Sequence, residues 1–266
     1  SVFHTFVFMQ ISFYKYQGTG NDFVLIDNRQ QKFPKNNTTL VAQICDRKFG
    51  VGADGLILLE QHPSKDFSMI YFNADGNQST MCGNGGRCIV HFAAFLGIIE
   101  TKTDFMAIDG THHATLQGDT VALIMKDVTH IENHRQHSFL NTGSPHHVEL
   151  VTNLEDINVV EKGRALRYNH YGPLGANINF VSKIAEDTFG VRTYERGVED
   201  ETLSCGTGVT AVALAMFDTN QTTLTKLHLK TTGGDLSVCF DKKDQTFTNI
   251  ALSGPAIQVF KGVWEV

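Results

Sequence analysis

Two short stretches, MCGNGGRC at residues 81–88 and SCGTGVTA at residues 204–211, indicate how this chain is organised. Both contain the pattern Cys-Gly-x-Gly, in which the cysteines are Cys82 and Cys205. The two cysteines are 123 residues apart, and two units of that length fill most of a chain of 266 residues. Self-similarity at one fixed spacing is the sequence signature of a repeated architecture.

The same offset of 123 residues aligns other parts of the chain without a gap. The matched positions are Gly83 with Gly206, Gly85 with Gly208, Tyr71 with Tyr194, Thr19-Gly20 with Thr142-Gly143, and Gly52-Ala53 with Gly175-Ala176. Four separated signals in the same order are hard to attribute to chance, so we infer two homologous halves. We place them at residues 1–128 and 129–255, and we expect residues 256–266 to return to the first half.

Each half combines short β-rich segments with one apolar helical segment. The residues after the two cysteines, 86–97 and 206–217, are apolar and free of proline, which predicts two mostly buried helices of about three turns, the first ending at Gly97. Strands bounded by turn residues are predicted at 23–28, 55–60, 68–73, 146–151, 177–182, 247–251 and 256–260. Strands and helices do not alternate regularly, so the predicted class is α+β rather than a doubly wound sheet.

Both cysteines stand where a turn gives way to a helix, and Thr80 and Ser204 are the expected N-caps. A helix N-terminus carries unpaired N–H groups and about half a positive charge, so it binds a carboxylate and lowers the pKa of a thiol. The amides expected to bind the carboxylate are those of Gly83, Asn84, Gly206 and Thr207.

If the two halves face each other, both thiols and both helix N-termini meet at one cleft. One thiolate would then remove the α-proton of a bound amino acid while the other thiol delivers a proton to the opposite face. This pairing predicts inversion at carbon with no metal and no cofactor. The remaining cysteines, Cys45, Cys88 and Cys239, lack the shared context, and we interpret them as small apolar side chains.

The composition excludes several classes of protein. A net charge of −6 argues against nucleic-acid binding, which needs a basic face. Five cysteines at low density argue against a disulfide scaffold and favour a reducing compartment, so we expect a cytoplasmic protein. No apolar run reaches the roughly 18 residues that span a bilayer, and the first ten residues do not have the pattern of a signal peptide. We interpret those ten residues as an extension of unassigned purpose.

Two further patterns predict no site. Residues 50–55 match Gly-x-Gly-x-x-Gly, but a helix-like stretch precedes them and a strand follows, which is the reverse of a dinucleotide site. His130, His134 and His137 have helical spacing, yet the stretch has weak apolar periodicity, so we expect a solvated connector between the halves rather than a metal site.

The chain resembles the diaminopimelate epimerases, a family that works without pyridoxal phosphate, from about Phe13 to its end. The stretches that carry the resemblance are QGTGNDFVLID (17–27), DRKFGVGADG (46–55), FNADGNQSTMCGNGGRC (72–88), NTGSPHHV (141–148), GANINFV (175–181) and YERGVEDETLSCGTG (194–208). The resemblance implies two pseudo-twofold domains, each a curved, mostly antiparallel sheet or barrel around a central buried helix. It also implies a homodimer, diaminopimelate as the substrate, and a place in lysine and cell-wall precursor synthesis.

The resemblance implies a role for each matching position. Cys82 and Cys205 would be the acid–base pair that converts the LL isomer to the meso isomer. The reacting carboxylate would be bound by Gly83, Asn84, Gly206 and Thr207, the distal amino-acid end by Asn21, Asn73, Asn177 and Arg196, and His146 and Glu195 would lie beside the reacting centre. The residue types fit, because a carboxylate suits an arginine fork and a zwitterion suits several amides.

Simpler interpretations stand beside these roles. Asn73 and Asn177 are also typical of turns, and Arg196 of a surface ion pair. Ser144 occupies a position where the family often has asparagine, and its shorter side chain reaches less far toward a distal group.

Two other functions stay open on the sequence alone. A racemase for another amino acid, such as proline or hydroxyproline, would use the same cysteine pair, although Asn84 and Arg87 favour the diaminopimelate branch because proline racemases typically have histidine at the first of these positions. A non-enzymatic binding or redox protein would use the thiols as a switch.

Overall fold

The computed structural model describes residues 10–266 and contains two halves built from the same series of elements. The first half consists of β1 (Gln10–Gly18), β2 (Asn21–Asp27), α1 (Thr38–Cys45), β3 (Gly55–Glu60), β4 (Phe67–Asn73), β5 (Gln78–Ser79), α2 (Gly83–Phe95), β6 (Lys102–Ala107), β7 (Gly110–Gln117) and β8 (Thr120–Ile124). Most of the N-terminal extension inferred above lies outside the described residues.

The second half follows with the same kinds of element. It consists of β9 (Ile131–Asn133), β10 (Ser138–Asn141), β11 (Pro145–Leu150), α3 (Val159–Ala165), a π-helical turn (Leu166–His170), β12 (Asn177–Lys183), β13 (Thr188–Glu195), β14 (Asp200–Thr202), α4 (Gly206–Asp218), β15 (Lys226–Thr231), β16 (Gly234–Lys243), β17 (Thr246–Pro255) and β18 (Ile257–Glu265). Helices α2 and α4 are 123 residues apart at both ends, which is the offset of the two cysteines.

The strands of the two halves pair in the same order. In the first half β1 is antiparallel to β2, β2 parallel to β3, β3 antiparallel to β4 and β4 parallel to β6, with β7 and β8 added antiparallel. Strands β10 to β17 repeat these pairings. The predicted fold class, α+β with two homologous halves of mostly antiparallel sheet, is therefore confirmed.

Two strand pairings connect the halves. Strand β8 is antiparallel to β17, and the last strand, β18, returns to pair with β1. Strand β9, which follows β8 along the chain, pairs with β10 within the second half. The division at residues 128 and 255 stays a prediction, since no boundary is marked in this continuous sheet.

The apolar core of each half has two parts. Helices α2 and α4 are each surrounded by the strands of their own half and form the inner cores. The peripheral helices α1 and α3 cover the outer faces of the sheets through side chains such as Val41 and Val159. Burying one Leu, Ile or Phe side chain contributes about 1.5–3 kcal/mol, so the fully buried Leu214 and Phe92 hold the central helices strongly in place.

The N-termini of α2 and α4 meet at the junction of the halves. A Cβ atom built on Gly206 would lie 3.4 Å from the Cα of Gly83 and 2.9 Å from Cδ2 of Leu252. A larger residue at either glycine would press on Leu252, whose Cδ2 lies 2.9 Å from a Cβ built on Gly206 and 3.1 Å from one built on Gly83. Leu252, on β17, fills the space beneath both helix ends.

The connector between the halves contains a β-hairpin. The amide of His134 donates to the carbonyl of His137 across the turn between β9 and β10. His130 and His134 are exposed, whereas His137 is half-buried, with its ring centroid 4.3 Å from that of His147. The prediction of a solvated connector is therefore wrong for His137. The spacing of apolar residues in this stretch does not reveal its contact with His147, which lies on strand β11.

Other sequence expectations can be compared directly. The motif at residues 50–55 follows helix α1 and ends at Gly55, the first residue of strand β3, which is the order that opposes a dinucleotide site. Cys45 and Cys88 are buried as expected, but Cys239 is exposed. Within residues 10–266 no helix has the length and apolar composition needed to cross a membrane.

Candidate active site

Cys82 is the N-cap residue of α2. Its Sγ accepts a hydrogen bond from the backbone amide of Gly85 at 3.2 Å, so the sulfur itself satisfies one of the free N–H groups of the helix. The predicted N-cap, Thr80, was wrong because the sulfur competes successfully for the same amides. The cysteine is thereby held at the positive end of the helix.

Cys205 occupies the equivalent position at the N-terminus of α4 and is 6% exposed. Its Sγ lies 3.5 Å from Oγ1 of Thr207. The N-cap predicted here, Ser204, was also wrong: its hydroxyl instead lies 2.6 Å from Oγ1 of Thr19, in the other half of the molecule. Both candidate thiols therefore stand at helix N-termini that meet at the junction of the halves.

Burial and helix polarity act on the thiols in opposite directions. Burial raises the pKa of Cys82 to about 11, against the lowering effect of the Gly85 amide. Burial also raises the pKa of Cys205, the charge of Glu195 adds to this, and the Thr207 hydroxyl opposes it. The near-neutral thiols expected from the helix ends alone neglected the cost of enclosing a thiolate. A positive group between the sulfurs would offset that cost.

Glu195 lies near both thiols at the end of β13. One carboxylate oxygen accepts from the hydroxyl of Thr202 at 2.9 Å. Burial raises the pKa of Glu195, and the Thr202 hydrogen bond acts against it. The negative charge of Glu195 raises the pKa of both thiols, whereas Arg87 lowers that of Cys82. The role of Glu195 beside a reacting centre stays a prediction.

His146 is fully buried and touches the start of α4. Its Nε2 lies 2.9 Å from Oγ1 of Thr207, which in turn contacts Cys205. Burial, with the nearby charge of Arg196 as a second cause, lowers the pKa of His146 to about 3. The imidazole is therefore neutral at physiological pH and serves as a hydrogen-bonding group rather than a cation.

Asn21 and Asn84 lie beside Cys82. The amide oxygen of Asn21 accepts from Nδ2 of Asn84 at 3.3 Å and is 3.9 Å from the Cys82 Sγ. Asn84 is 4% exposed and also donates to the carbonyl of Ser204 at 3.2 Å, across the junction. Its own amide oxygen has no hydrogen-bond partner among the described residues, which leaves a buried acceptor close to Gly206.

A network of charged residues binds the side-chain nitrogen of Asn21. Its Nδ2 donates to a carboxylate oxygen of Asp54 at 2.5 Å, and Arg47 pairs with both Asp54 and Asp22 at 2.6 Å. Lys15 pairs with Asp22 as well. Although burial by itself would raise it, hydrogen bonds from Arg47 and Lys15 lower the pKa of Asp22 to about 2. These residues could not be singled out from the sequence, since ion pairs distant in sequence leave no local pattern.

Asn177 and Arg196 are connected to each other. The amide oxygen of Asn177 accepts from the backbone N–H of Arg196 at 2.9 Å, and Nη1 of Arg196 donates to the carbonyl of Leu174 at 2.9 Å. Arg196 is exposed and has no carboxylate partner within residues 10–266, so the surface ion pair considered above is not formed. Asn73 is exposed where β4 ends in a turn closed by backbone hydrogen bonds, and Ser144 is half-buried beside β11.

The structure thus brings most of the sequence-predicted residues to one junction. One contact network joins Cys82, Cys205, Gly83, Asn84, Gly206, Thr207, Asn21, His146 and Asn177. Glu195 acts on both thiols through its charge, Arg196 lies at the exposed edge of the network, and Asn73 lies on an exposed turn. Within residues 10–266 no three His, Cys, Asp or Glu side chains are arranged to hold a metal ion. Thr202 and Asn179, which contact Glu195 and His146, were missed because hydroxyl and amide side chains have no distinctive spacing.

The amino-acid sequence matches a family of known proteins. The family model described as Diaminopimelate epimerase matches residues 13–131 and 138–259. A diaminopimelate epimerase of Flavobacterium psychrophilum is 57% identical over 93% of this chain and 98% of its own length. Those of Chlorobaculum tepidum and Aquifex aeolicus are 42% and 38% identical, over 92% and 95% of this chain and 98% and 97% of their own lengths.

Solved structures share the fold at much lower identity. A phenazine biosynthesis protein of the PhzF family from Bacillus anthracis is 13% identical with a TM-score of 0.77, over 97% of this chain and 99% of its own. A hydroxyproline epimerase from Agrobacterium vitis is 13% identical with a TM-score of 0.68, over 97% and 93%. These similarities support the fold alone, whereas the sequence matches over nearly the whole length show that the chain belongs to the diaminopimelate epimerase family of isomerases.

Proposed function

We propose that this chain inverts one α-carbon of diaminopimelate, LL to meso, with Cys82 and Cys205 as the two acid–base groups. The observation that carries the proposal is the meeting of two helix N-termini, each with a cysteine at its N-cap position, where Gly206 and Gly83 nearly touch. A substrate carboxylate bound there would be stabilised by two sets of free amides.

The proposed reaction has two proton transfers. The thiolate of one cysteine takes the proton from the α-carbon, and the electron pair of the broken C–H bond moves onto the carbon and its carboxylate. The S–H of the other cysteine then gives its proton to the opposite face of the carbon. The product leaves with inverted configuration and the two sulfurs with exchanged protonation, so no redox partner is required.

The polar groups around the sulfurs suit the charges that this reaction creates. The amides of Gly83, Asn84, Gly206 and Thr207 would stabilise the negative charge that develops on the carboxylate. The substrate ammonium group would lie near the carboxylate of Glu195 and would offset the burial that raises both thiol pKa values. His146, held neutral, would contribute hydrogen bonds without repelling the ammonium group.

The distal end of the substrate is proposed to bind at the edge of the same cleft. Asn21, Asn73 and Asn177 would bind its ammonium and carboxylate groups, and Arg196 its carboxylate. Arg196 is suited to this because it is exposed and its hydrogen bond to Leu174 occupies only one of its five N–H donors. A homodimer, a cytoplasmic location, and a role in lysine and cell-wall precursor synthesis complete the proposal, which rests for these points on family membership.

Replacement of either cysteine by serine tests the mechanism. Cys82→Ser and Cys205→Ser should each lower the rate of epimerisation by about a hundredfold to ten-thousandfold, because a hydroxyl is too weak an acid to replace a thiol. Epimerisation and exchange of the α-proton with deuterated water would be followed together. Cys88→Ser, at a buried position of the same helix α2, is the matched control and should keep the wild-type rate per folded molecule. Full activity in either active-site variant would refute the two-thiol mechanism.

A further inference from the structure

Asn179 is a fully buried side chain of β12 that lies behind the candidate site. Its Nδ2 donates to the backbone carbonyl of His147 at 2.8 Å, and its Oδ1 accepts from the hydroxyl of Thr193 at 2.9 Å. A Cβ atom built on Gly208 would come within 2.5 Å of that Oδ1, so the start of α4 is shaped to admit this amide. None of the roles assigned above includes Asn179.

The hydrogen bonds fix which way the amide points. A carbonyl oxygen can only accept, so the atom facing the His147 carbonyl must be the nitrogen of Asn179. The second hydrogen on that nitrogen is directed at Nδ1 of His146, 3.1 Å away. Turning the amide over would place two oxygens against each other at the His147 carbonyl, with no hydrogen between them.

The orientation of Asn179 in turn fixes the tautomer of His146. Because Nδ1 accepts from the amide, it carries no proton, and the proton of the neutral ring must be on Nε2. Nε2 is then the donor to Oγ1 of Thr207 at 2.9 Å. The Nδ2 of Asn177, also a donor, lies farther from Nε2, at 3.5 Å, and makes no hydrogen bond to a protonated nitrogen.

The hydroxyl of Thr207 connects His146 to the sulfur of Cys205. With one lone pair of Thr207 Oγ1 taken by His146, the hydroxyl hydrogen is free to point at the Sγ of Cys205, 3.5 Å away. A hydroxyl donor favours the thiolate form of a cysteine. In the opposite tautomer, Nε2 would accept the Thr207 hydrogen and Cys205 would lose this donor.

We infer that Asn179 is a positioning residue that fixes the Nε2-protonated tautomer of His146 and so directs the Thr207 hydroxyl toward Cys205. The inference rests on the proposed role of Cys205 and adds to it, because it identifies how one of the two thiolates is stabilised. Among residues 10–266, the side-chain hydrogen-bond partner of Cys82 is instead the amide oxygen of Asn21, which is an acceptor and cannot donate to a thiolate.

Nitrogen-15 NMR of the histidine-labelled full-length protein tests the tautomer without substrate. The signals of His146, assigned by comparison with His146→Gln, should report a neutral ring protonated at Nε2 throughout the range from pH 6 to pH 9. A ring protonated at Nδ1, or a charged ring, would overturn the inference even if Cys205 is catalytic. Conversely, an active Cys205→Ser variant would refute the proposed function and leave the tautomer result standing, so the two failures are distinguishable.

The consequence for the thiol is tested by alkylation. The pH profile of Cys205 modification, measured by mass spectrometry, should move to higher pH by about one unit in Asn179→Ala, while the profile of Cys82 stays in place. The acidic group that faces both sulfurs, Glu195, is unchanged in this variant. Asn28→Ala removes an equally buried asparagine that bonds to Glu60 in the first half, and it should lower stability without moving the Cys205 profile. Equal shifts at both cysteines, or none at Cys205, would refute the inference.

Discussion

Replacing Arg196 by methionine tests the substrate assignment most directly. Methionine keeps an unbranched side chain of similar reach but removes the guanidinium group. In the structure that group makes one hydrogen bond, from Nη1 to the Leu174 carbonyl, and no ion pair with any residue from 10 to 266. The substitution should therefore cost little stability, and its effect should appear in catalysis.

The size of the effect follows from the donors that are left free. A charge-assisted hydrogen bond to a carboxylate contributes about 1.5–3 kcal/mol, and 1.4 kcal/mol is a factor of ten. The kcat/KM for diaminopimelate should fall roughly tenfold to a hundredfold in Arg196→Met. Part of the loss should appear in kcat, because binding energy from the distal end also orients the reacting carbon.

Two comparisons make the result decisive. A small amino acid without a distal carboxylate should be a poor substrate for the wild type and should lose little more in the variant. Arg135→Met, at an exposed position in the turn between β9 and β10, should leave both substrates unaffected. If Arg196→Met left diaminopimelate kinetics unchanged, the assignment of the distal site would be refuted.

The remaining predictions concern redox state and pH. Oxidation without ligand should join Cys82 to Cys205 in a disulfide and abolish activity until reductant is added. The measurement uses a Cys239→Ser background, which removes the exposed thiol. Full activity that persists after oxidation would contradict a close approach of the two sulfurs. Burial and the neighbouring histidines lower the pKa of His137 from 6.5 to about 4, so the stability that its neutral form contributes is present above pH 6.5 and lost as the pH falls toward 4. Thermal unfolding of His137→Gln should depend less on pH over that range, whereas His130→Gln, with a side chain 75% exposed, should behave as the wild type.

The duplication explains why so much of the fold could be predicted from one chain. The offset of 123 residues fixed both central helices, and strands such as 55–60 and 177–182 are apolar runs bounded by turns, which lie within one residue of β3 and β12. Strands β1, β5 to β10 and β13 to β16 were not predicted. On β6 and β7 the buried positions include the polar residues Thr103 and His112, which obscures the alternation that marks a strand. Strand β15 does alternate, with Leu227 and Leu229 buried between exposed polar residues, and this signal was overlooked.

The side-chain interactions of the candidate site were harder to predict from the sequence than its backbone. Helix ends are encoded locally, so Cys82 and Cys205 could be found from sequence. The orientation of side chains is not, because it depends on contacts such as Asp54 with Asn21 and Asn179 with His146, which join residues 33 apart in both cases. The thiol pKa values depend on burial, which a sequence does not specify at a cleft between domains.

The two halves have the same backbone fold, but their polar side chains near the sulfurs differ. Positions related by the 123-residue offset show this: Asn84 corresponds to Thr207, Phe23 to His146, Phe72 to Glu195, Leu56 to Asn179, and Asn73 to Arg196. Three polar groups near the sulfurs therefore belong to the second half, and their counterparts in the first half are buried apolar side chains.

This asymmetry fits the proposed reaction. Two thiols and two helix ends related by a pseudo-twofold axis suit the two faces of one α-carbon, so the backbone of both halves is retained. The α-ammonium group and the distal end of diaminopimelate do not share that symmetry, since each lies on one side of the carbon. Only one half then needs the carboxylate of Glu195 and the guanidinium of Arg196, and a second copy in the other half would leave unpaired charges in the cleft, which are costly when buried.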